Sequence, residues 1–258
     1  MHMLRIVGVA VVVVALSATS YANADPKSID FPTADGIEAR ADLYEATNPS
    51  ATLILLFHQA GWSRGEYKEI APKLVQNGYR VMAVDARSGG AVNGVPNATH
   101  KRARKKKLST GYLDAYADLK RALAHAVDEL KANRIVVWGS SYSASLVIRL
   151  AAEHPEQVSA VMAFSPGEYF KKQSPDYIQT FAKRVTQPLF VTSSKKEREL
   201  VKPIFDASPA EKRVLFTPAS SGQHGSRALW SKFSDNDVYW TAVKGFLGEY
   251  APTAPPSE

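Results

Sequence analysis

The chain reads as an α/β protein built on a mostly parallel central sheet with helices on both faces. Two observations predict this. Short apolar runs rich in β-branched residues, such as Leu53-Ile54-Leu55-Leu56-Phe57 and Ile135-Val136-Val137-Trp138, alternate with longer stretches of helical periodicity. Those apolar runs are nearly continuous rather than alternating, as strands buried on both faces are. At 258 residues, 45% hydrophobic and 22% charged, the composition suits one domain with a core of its own. No internal repeat divides it.

The elements follow in order. Lys27–Pro32 and Ile37–Tyr44 flank Asp35-Gly36, a strong hairpin signal. Ala51–Phe57 is a central strand that ends in His58-Gln59-Ala60-Gly61-Trp62. Tyr67–Asn77 reads as a helix stopped by Gly78, its start limited by Pro72. Tyr79–Asp85 is the next strand. A long loop is expected from Ala86 to Thr110, and loops of that length in a compact domain are usually functional or mobile. Gly111–Ala132 shows helical spacing in Leu113, Tyr116, Leu119, Leu123 and Val127. Strands are expected at Val158–Phe164, Pro188–Thr192 and Arg213–Thr217, with helical stretches at Pro175–Val185, Glu197–Asp206 and Asp235–Tyr250. The stretch Ser165–Gln187 could form a lid and is too short for a separate cap domain. The tail, residues 251–258, carries three prolines and no large apolar residue, so disorder is expected there.

The first 24 residues are set apart from this domain. Arg5 precedes the apolar run Ile6–Leu16, and Ala22-Asn23-Ala24 is an A-x-A site, the three-part pattern of a secretory signal peptide cleaved after Ala24. The run is short of the roughly 20 residues a membrane span needs, so no stable anchor is expected. The expected location is outside the cytoplasm, in a periplasm or secreted, with the folded domain at residues 25–250. The chain has no cysteine, which removes disulfides, a thiol nucleophile and thiolate metal sites.

Removal of Arg5, the one charged side chain of the signal, takes the net charge from +7 to +6. Much of the excess lies in Lys101-Arg102-Ala103-Arg104-Lys105-Lys106-Lys107. Basic runs can hold nucleic acid or anionic surfaces, but no nucleic-acid-binding motif accompanies this one. A solvated loop, with no nucleic-acid partner, is the reading adopted.

The chemistry centres on Gly139-Ser140-Ser141-Tyr142-Ser143. A strand that turns at once into a helix holds the residue at the turn on a strained backbone, with its side chain free above the sheet. This is the G-x-S-x-G nucleophile elbow with Ser141 as nucleophile and Ser143 in place of the second glycine. A serine hydroxyl needs a base and a group to orient that base. Among the six histidines only His224 follows the last strand, and the elbow fold runs in the order Ser, acid, His. The acid should follow Thr192, where Glu197 is the first carboxylate and Glu199 and Asp206 are alternatives. Oxyanion donors are expected from the Tyr142 N–H and from the loop after Phe57, at Gln59 or Ala60. His58 is read as a brace for that loop, not a base. Trp62, Tyr67, Tyr142, Tyr169, Phe170 and Tyr177 are aromatic candidates for an acyl pocket. No glycine-rich phosphate loop or metal-ligand cluster is present, so no cofactor is expected.

Through His58-Gln59-Ala60-Gly61, Val84-Asp85-Ala86-Arg87-Ser88-Gly89-Gly90, the elbow at Ser141 and His224-Gly225, the chain resembles the α/β-hydrolase fold from about Ile37 to Tyr250. It looks most like the small dienelactone-hydrolase-like branch, which lacks a large cap domain. The resemblance implies a serine hydrolase acting on a small-molecule ester or similar acyl substrate, most simply a carboxylesterase. A peptidase or acyltransferase with the same triad, or a non-catalytic binding protein on the scaffold, are the alternatives. Three departures stand out: dienelactone hydrolases proper use cysteine, Gln59 stands where glycine is usual, and glutamate replaces the usual aspartate.

Overall fold

A computed structural model describes residues 25–253. The expected signal peptide, residues 1–24, and residues 254–258 lie outside that range. The chain forms the strands β1 (Lys27–Pro32), β2 (Glu38–Tyr44), β3 (Leu53–Phe57), β4 (Arg80–Val84), β5 (Ala91–Val92), β6 (Val95–Pro96), β7 (Ile135–Ser140), β8 (Ala160–Phe164), β9 (Leu189–Thr192) and β10 (Arg213–Phe216). The α-helices are α1 (Ile70–Gln76), α2 (Ala98–Lys105), α3 (Tyr116–Asp128), α4 (Tyr142–Glu153), α5 (Tyr177–Ala182), α6 (Arg198–Ala207) and α7 (Asn236–Tyr250).

Eight strands make one sheet in the order β1-β2-β4-β3-β7-β8-β9-β10. The hairpin β1–β2 and the pair β2–β4 are antiparallel, and every other neighbour is parallel. The α/β-hydrolase architecture expected from the sequence is therefore present, with no large cap among the described residues. Strand side chains alternate between two cores. Leu53, Leu55, Phe57 and Val137 face the layer of α3, α4, α5 and α6, while Ile54, Leu56, Val136 and Trp138 face α1 and α7. Burial on both faces explains why these strands read as unbroken apolar runs.

Two expectations are corrected. Most of the basic run does not lie in a loop: residues 98–105 form α2, which takes in the run up to Lys105 and is capped by the Asn97 side chain, which accepts the His100 N–H at 2.8 Å. Its Ala, Arg and Lys residues are good helix formers, and Thr99 and Ala103 are its buried positions, so no apolar stripe announced it. Arg102 turns back to Asp30 on β1, at 2.6 Å. Residues 251–253, expected to be disordered, pack on the domain. Ala251 is buried, and the Pro252 carbonyl accepts the Thr52 hydroxyl at 2.7 Å.

Strands β3 and β7 are neighbours, with Phe57 opposite Gly139. After β3 the chain goes to β4 on one side of it, and it returns on the other side at β7. The crevice outside the carboxyl ends of the strands at such a reversal is where open α/β sheets bind ligands. The loops after β3, β7, β8, β9 and β10 all open there.

Candidate active site

Ser141 lies between β7 and α4 at φ 59° and ψ −123°. A non-glycine residue with such a φ is costly and needs a surrounding structure that enforces it. Here its N–H donates to the Phe164 carbonyl at 2.8 Å, and the helix begins at the next residue. Gly139 cannot be larger, because a Cβ there would stand 2.3 Å from the Ser143 carbonyl oxygen. The departure at Ser143 has a structural reason. Its hydroxyl donates to the His58 carbonyl at 2.7 Å, tying the first turn of α4 to the loop after β3.

That loop is braced by His58, which is fully buried. His58 Nε2 accepts the Ala86 N–H at 3.0 Å and the Asn97 amide at 3.1 Å, so the proton is assigned to Nδ1, which donates to the Gln59 carbonyl at 2.8 Å. Burial holds its pKa below the usual imidazole range. The two positions left open for a loop donor are now distinct. The Gln59 N–H is engaged by a Glu66 carboxylate oxygen at 2.8 Å and is not free for an oxyanion. The Ala60 N–H has no acceptor among the described residues. The Tyr142 N–H stands at the first position of α4, where backbone donors lack an intrahelical partner.

The structure brings Glu197 and His224 together: Glu197 Oε1 is 2.5 Å from His224 Nδ1. The other oxygen, Oε2, accepts the hydroxyls of Ser194 at 2.7 Å and Ser165 at 3.0 Å, and the Ser194 N–H at 3.2 Å. Burial pushes the Glu197 carboxyl up, but these hydrogen bonds, that of His224 first, outweigh it and bring it down to about 2. The alternatives for the acid are elsewhere. Glu199 is largely exposed beside Arg198, and Asp206 pairs with Lys202 one turn away on α6. No hydrogen bond joins the His224 ring to Ser141 Oγ among the described residues. Such contacts are often long before substrate binds.

Several residues here were not found by reading the chain. Ser165, at the end of β8 with φ 56°, donates to Glu197 and accepts the Gly225 N–H at 3.0 Å, linking acid and histidine loop. A serine after a strand carries no signal of that role. Of the aromatic pocket candidates, Tyr67 and Tyr142 are core, Trp62 stacks on Trp230, and Phe170 and Tyr177 pack against each other. Tyr169 lines the groove beside Ser165 and Glu197, its hydroxyl donating to the Ser165 carbonyl at 3.0 Å. Tyr112, not anticipated, stacks on Tyr142 with ring centroids 4.9 Å apart and is 44% exposed. A groove of about 430 Å³ opens beside Ser165, Gly167, Tyr169, Glu197 and Leu200.

This geometry can polarise an imidazole and present a serine on a strained turn, and it leaves the Ala60 and Tyr142 N–H groups without an acceptor among the described residues. No group of His, Asp and Glu able to hold a metal occurs among the described residues.

The model of a family described as serine aminopeptidase, S33 matches residues 48–223, more than half of the chain. Esterase Pf2001 of Pyrococcus furiosus superposes with a TM-score of 0.70 at 18% identity, over 95% of this chain and 99% of that one. A dienelactone hydrolase of Anabaena variabilis superposes with a TM-score of 0.65 at 15% identity, over 88% and 99%. The quorum-quenching protein AidA of Acinetobacter baumannii is 29% identical over 145 residues, 55% of this chain and 44% of that protein. The chain spans less than half the length of the curated relatives it matches.

Proposed function

We propose that this chain, which belongs to the serine aminopeptidase S33 family of α/β hydrolases, is an exported carboxylesterase working through an acyl-enzyme on Ser141. Membership makes it a serine hydrolase; the ester substrate, the triad and the export are the proposal. The observation that carries it is the 2.5 Å contact between His224 Nδ1 and Glu197 Oε1.

In this reading Ser141 Oγ attacks the ester carbonyl while His224 Nε2 takes its proton. Glu197 holds the ring in the tautomer that leaves Nε2 free and stabilises the imidazolium once formed. The Tyr142 and Ala60 N–H groups receive the oxyanion, a contribution of about 2.7–4 kcal/mol per donor where one has been removed from such a site. His224 then protonates the departing alkoxide. A water, deprotonated by the same ring, releases the acid.

Hydrolysis of p-nitrophenyl esters of rising chain length by the mature chain tests the activity. Turnover by the wild type that vanishes in Ser141→Ala supports the reading, and equal turnover by both overturns it. Export is tested separately by N-terminal sequencing of the secreted or periplasmic protein. Asp25 is the expected first residue, and Met1 would contradict it.

A further inference from the structure

Glu66 has no part in the acyl-transfer steps, yet it is fully buried directly behind them. It sits in the single turn Arg64–Tyr67 after β3. Its carboxylate serves two loops at once. Oε2 accepts the Gln59 N–H at 2.8 Å, and Oε1 accepts the Ser140 hydroxyl at 2.7 Å. Ser140 directly precedes the elbow serine, and its Oγ also accepts the Ser226 N–H at 2.9 Å. The histidine loop presses closely here: a Cβ on Gly225 would stand 2.4 Å from Ser140 Oγ and 3.8 Å from Glu66 Oε1.

We propose that Glu66 is a positioning residue, whose carboxylate locks the oxyanion loop, the nucleophile turn and the loop carrying His224 into one register. The contacts run from Gln59 through Glu66 and Ser140 to Ser226. Holding the Gln59 N–H fixes the His58–Gln59 peptide, one unit before the peptide whose Ala60 N–H is left for the oxyanion. Holding Ser140 fixes the residue before Ser141. The Ser226 N–H carries the same restraint to two residues beyond His224.

The chemistry of the residue fits that task. A carboxylate offers two oxygens in one plane and can satisfy donors from chain segments 7 and 74 residues away in sequence. An apolar side chain of the same size would leave both donors buried and unpaired. Burial of a carboxyl is itself unfavourable, and burial pushes this one up to about 7 against the hydrogen bonds from Ser140 and Gln59. A group kept at that cost in the wall of a reaction site is suited to geometry rather than to stability. Reacting groups misplaced by about 1 Å can cost 100-fold in rate.

The proposal rests on the Ser141–His224–Glu197 reading, and the experiment separates the two. Glu66→Gln, Ser140→Ala, their double variant and Ser141→Ala are compared with the wild type on p-nitrophenyl acetate. Reactive sites are counted with a fluorophosphonate, so that kcat refers to folded enzyme. Glu66→Gln keeps the shape but offers one accepting oxygen. It should lower kcat about 10-fold with KM changed less than 2-fold, and so should Ser140→Ala, with the double variant no worse than the more severe single. A folded Glu66→Gln with wild-type kcat and KM, beside an inert Ser141→Ala, overturns this proposal alone. A loss confined to the count of reactive sites also overturns it, because the role would then be structural. Retained turnover in Ser141→Ala brings down the triad reading and this proposal with it.

Discussion

His224 Nδ1 meets Glu197 Oε1 at 2.5 Å, and the carboxylate is held from its other side by Ser194 and Ser165. A glutamate reaches one methylene further than an aspartate. Here it starts from the helical turn after β9 and reaches back to the loop after β10, with Ser194 anchoring the longer arm. In the proposed triad, the replacement of aspartate by glutamate is accommodated by this specific set of donors. Glu197→Gln should lower kcat by about 10²–10⁴ with little change in KM, the loss that follows when the imidazole is left in the wrong tautomer. Glu199→Gln and Asp206→Asn should be mild, because their partners are Arg198 and Lys202. Steady-state kinetics of the three variants checks the ranking.

The two unusual carboxyls predict opposite pH behaviour. Glu197 titrates near its ordinary 4.5 when unfolded and at about 2 when folded. Between those values the unfolded chain binds more protons, so its contribution to stability is full above about 4.5 and is lost as the pH falls toward 2. Glu66 is shifted the other way, to about 7, with His224, Arg227, Tyr67 and Tyr142 as the titratable and charged groups around it. Its contribution is full below about 4.5 and is lost as the pH rises through 7. Urea unfolding from pH 3 to 8 should show the stability gap between wild type and Glu197→Gln narrowing toward acid. Glu66→Gln should gain on the wild type toward pH 8.

Gly139→Ala should destabilise the elbow itself. The added Cβ would lie 2.3 Å from a backbone oxygen of Ser143, which cannot swing away as a side chain can. Overpacking of this kind typically costs about 1–3 kcal/mol. The variant should show a lower Tm and, even where folded, little activity. Thermal unfolding and ester turnover measure both.

What could be read from the chain alone was what is local in sequence. The strand–helix turn at Ser141 is announced by Gly139 and a β-branched strand, the position of His224 by its place after the last strand, and the helix α3 by its apolar spacing. The supports were not legible, because they are contacts between distant segments. Glu66 and Ser140 are 74 residues apart, Ser165 and Gly225 are 60, and Ser143 reaches back 85 to His58. In sequence Glu66 is one charge in a polar stretch, and nothing marks it as buried. The choice between Gln59 and Ala60 as donor depended on that same buried carboxylate. Helix α2 was missed for a different reason: its lysines and arginines hide a helix held by its cap and by two small buried side chains.

In the proposed function Ser141 is the nucleophile, activated by His224. The most direct measurement is mass-spectrometric mapping of the residue modified when the mature chain reacts with a fluorophosphonate. One adduct is expected, on the Ser141 Oγ, absent in Ser141→Ala and formed far more slowly in His224→Ala. An adduct on another serine, or labelling of the His224→Ala variant at the wild-type rate, would contradict it.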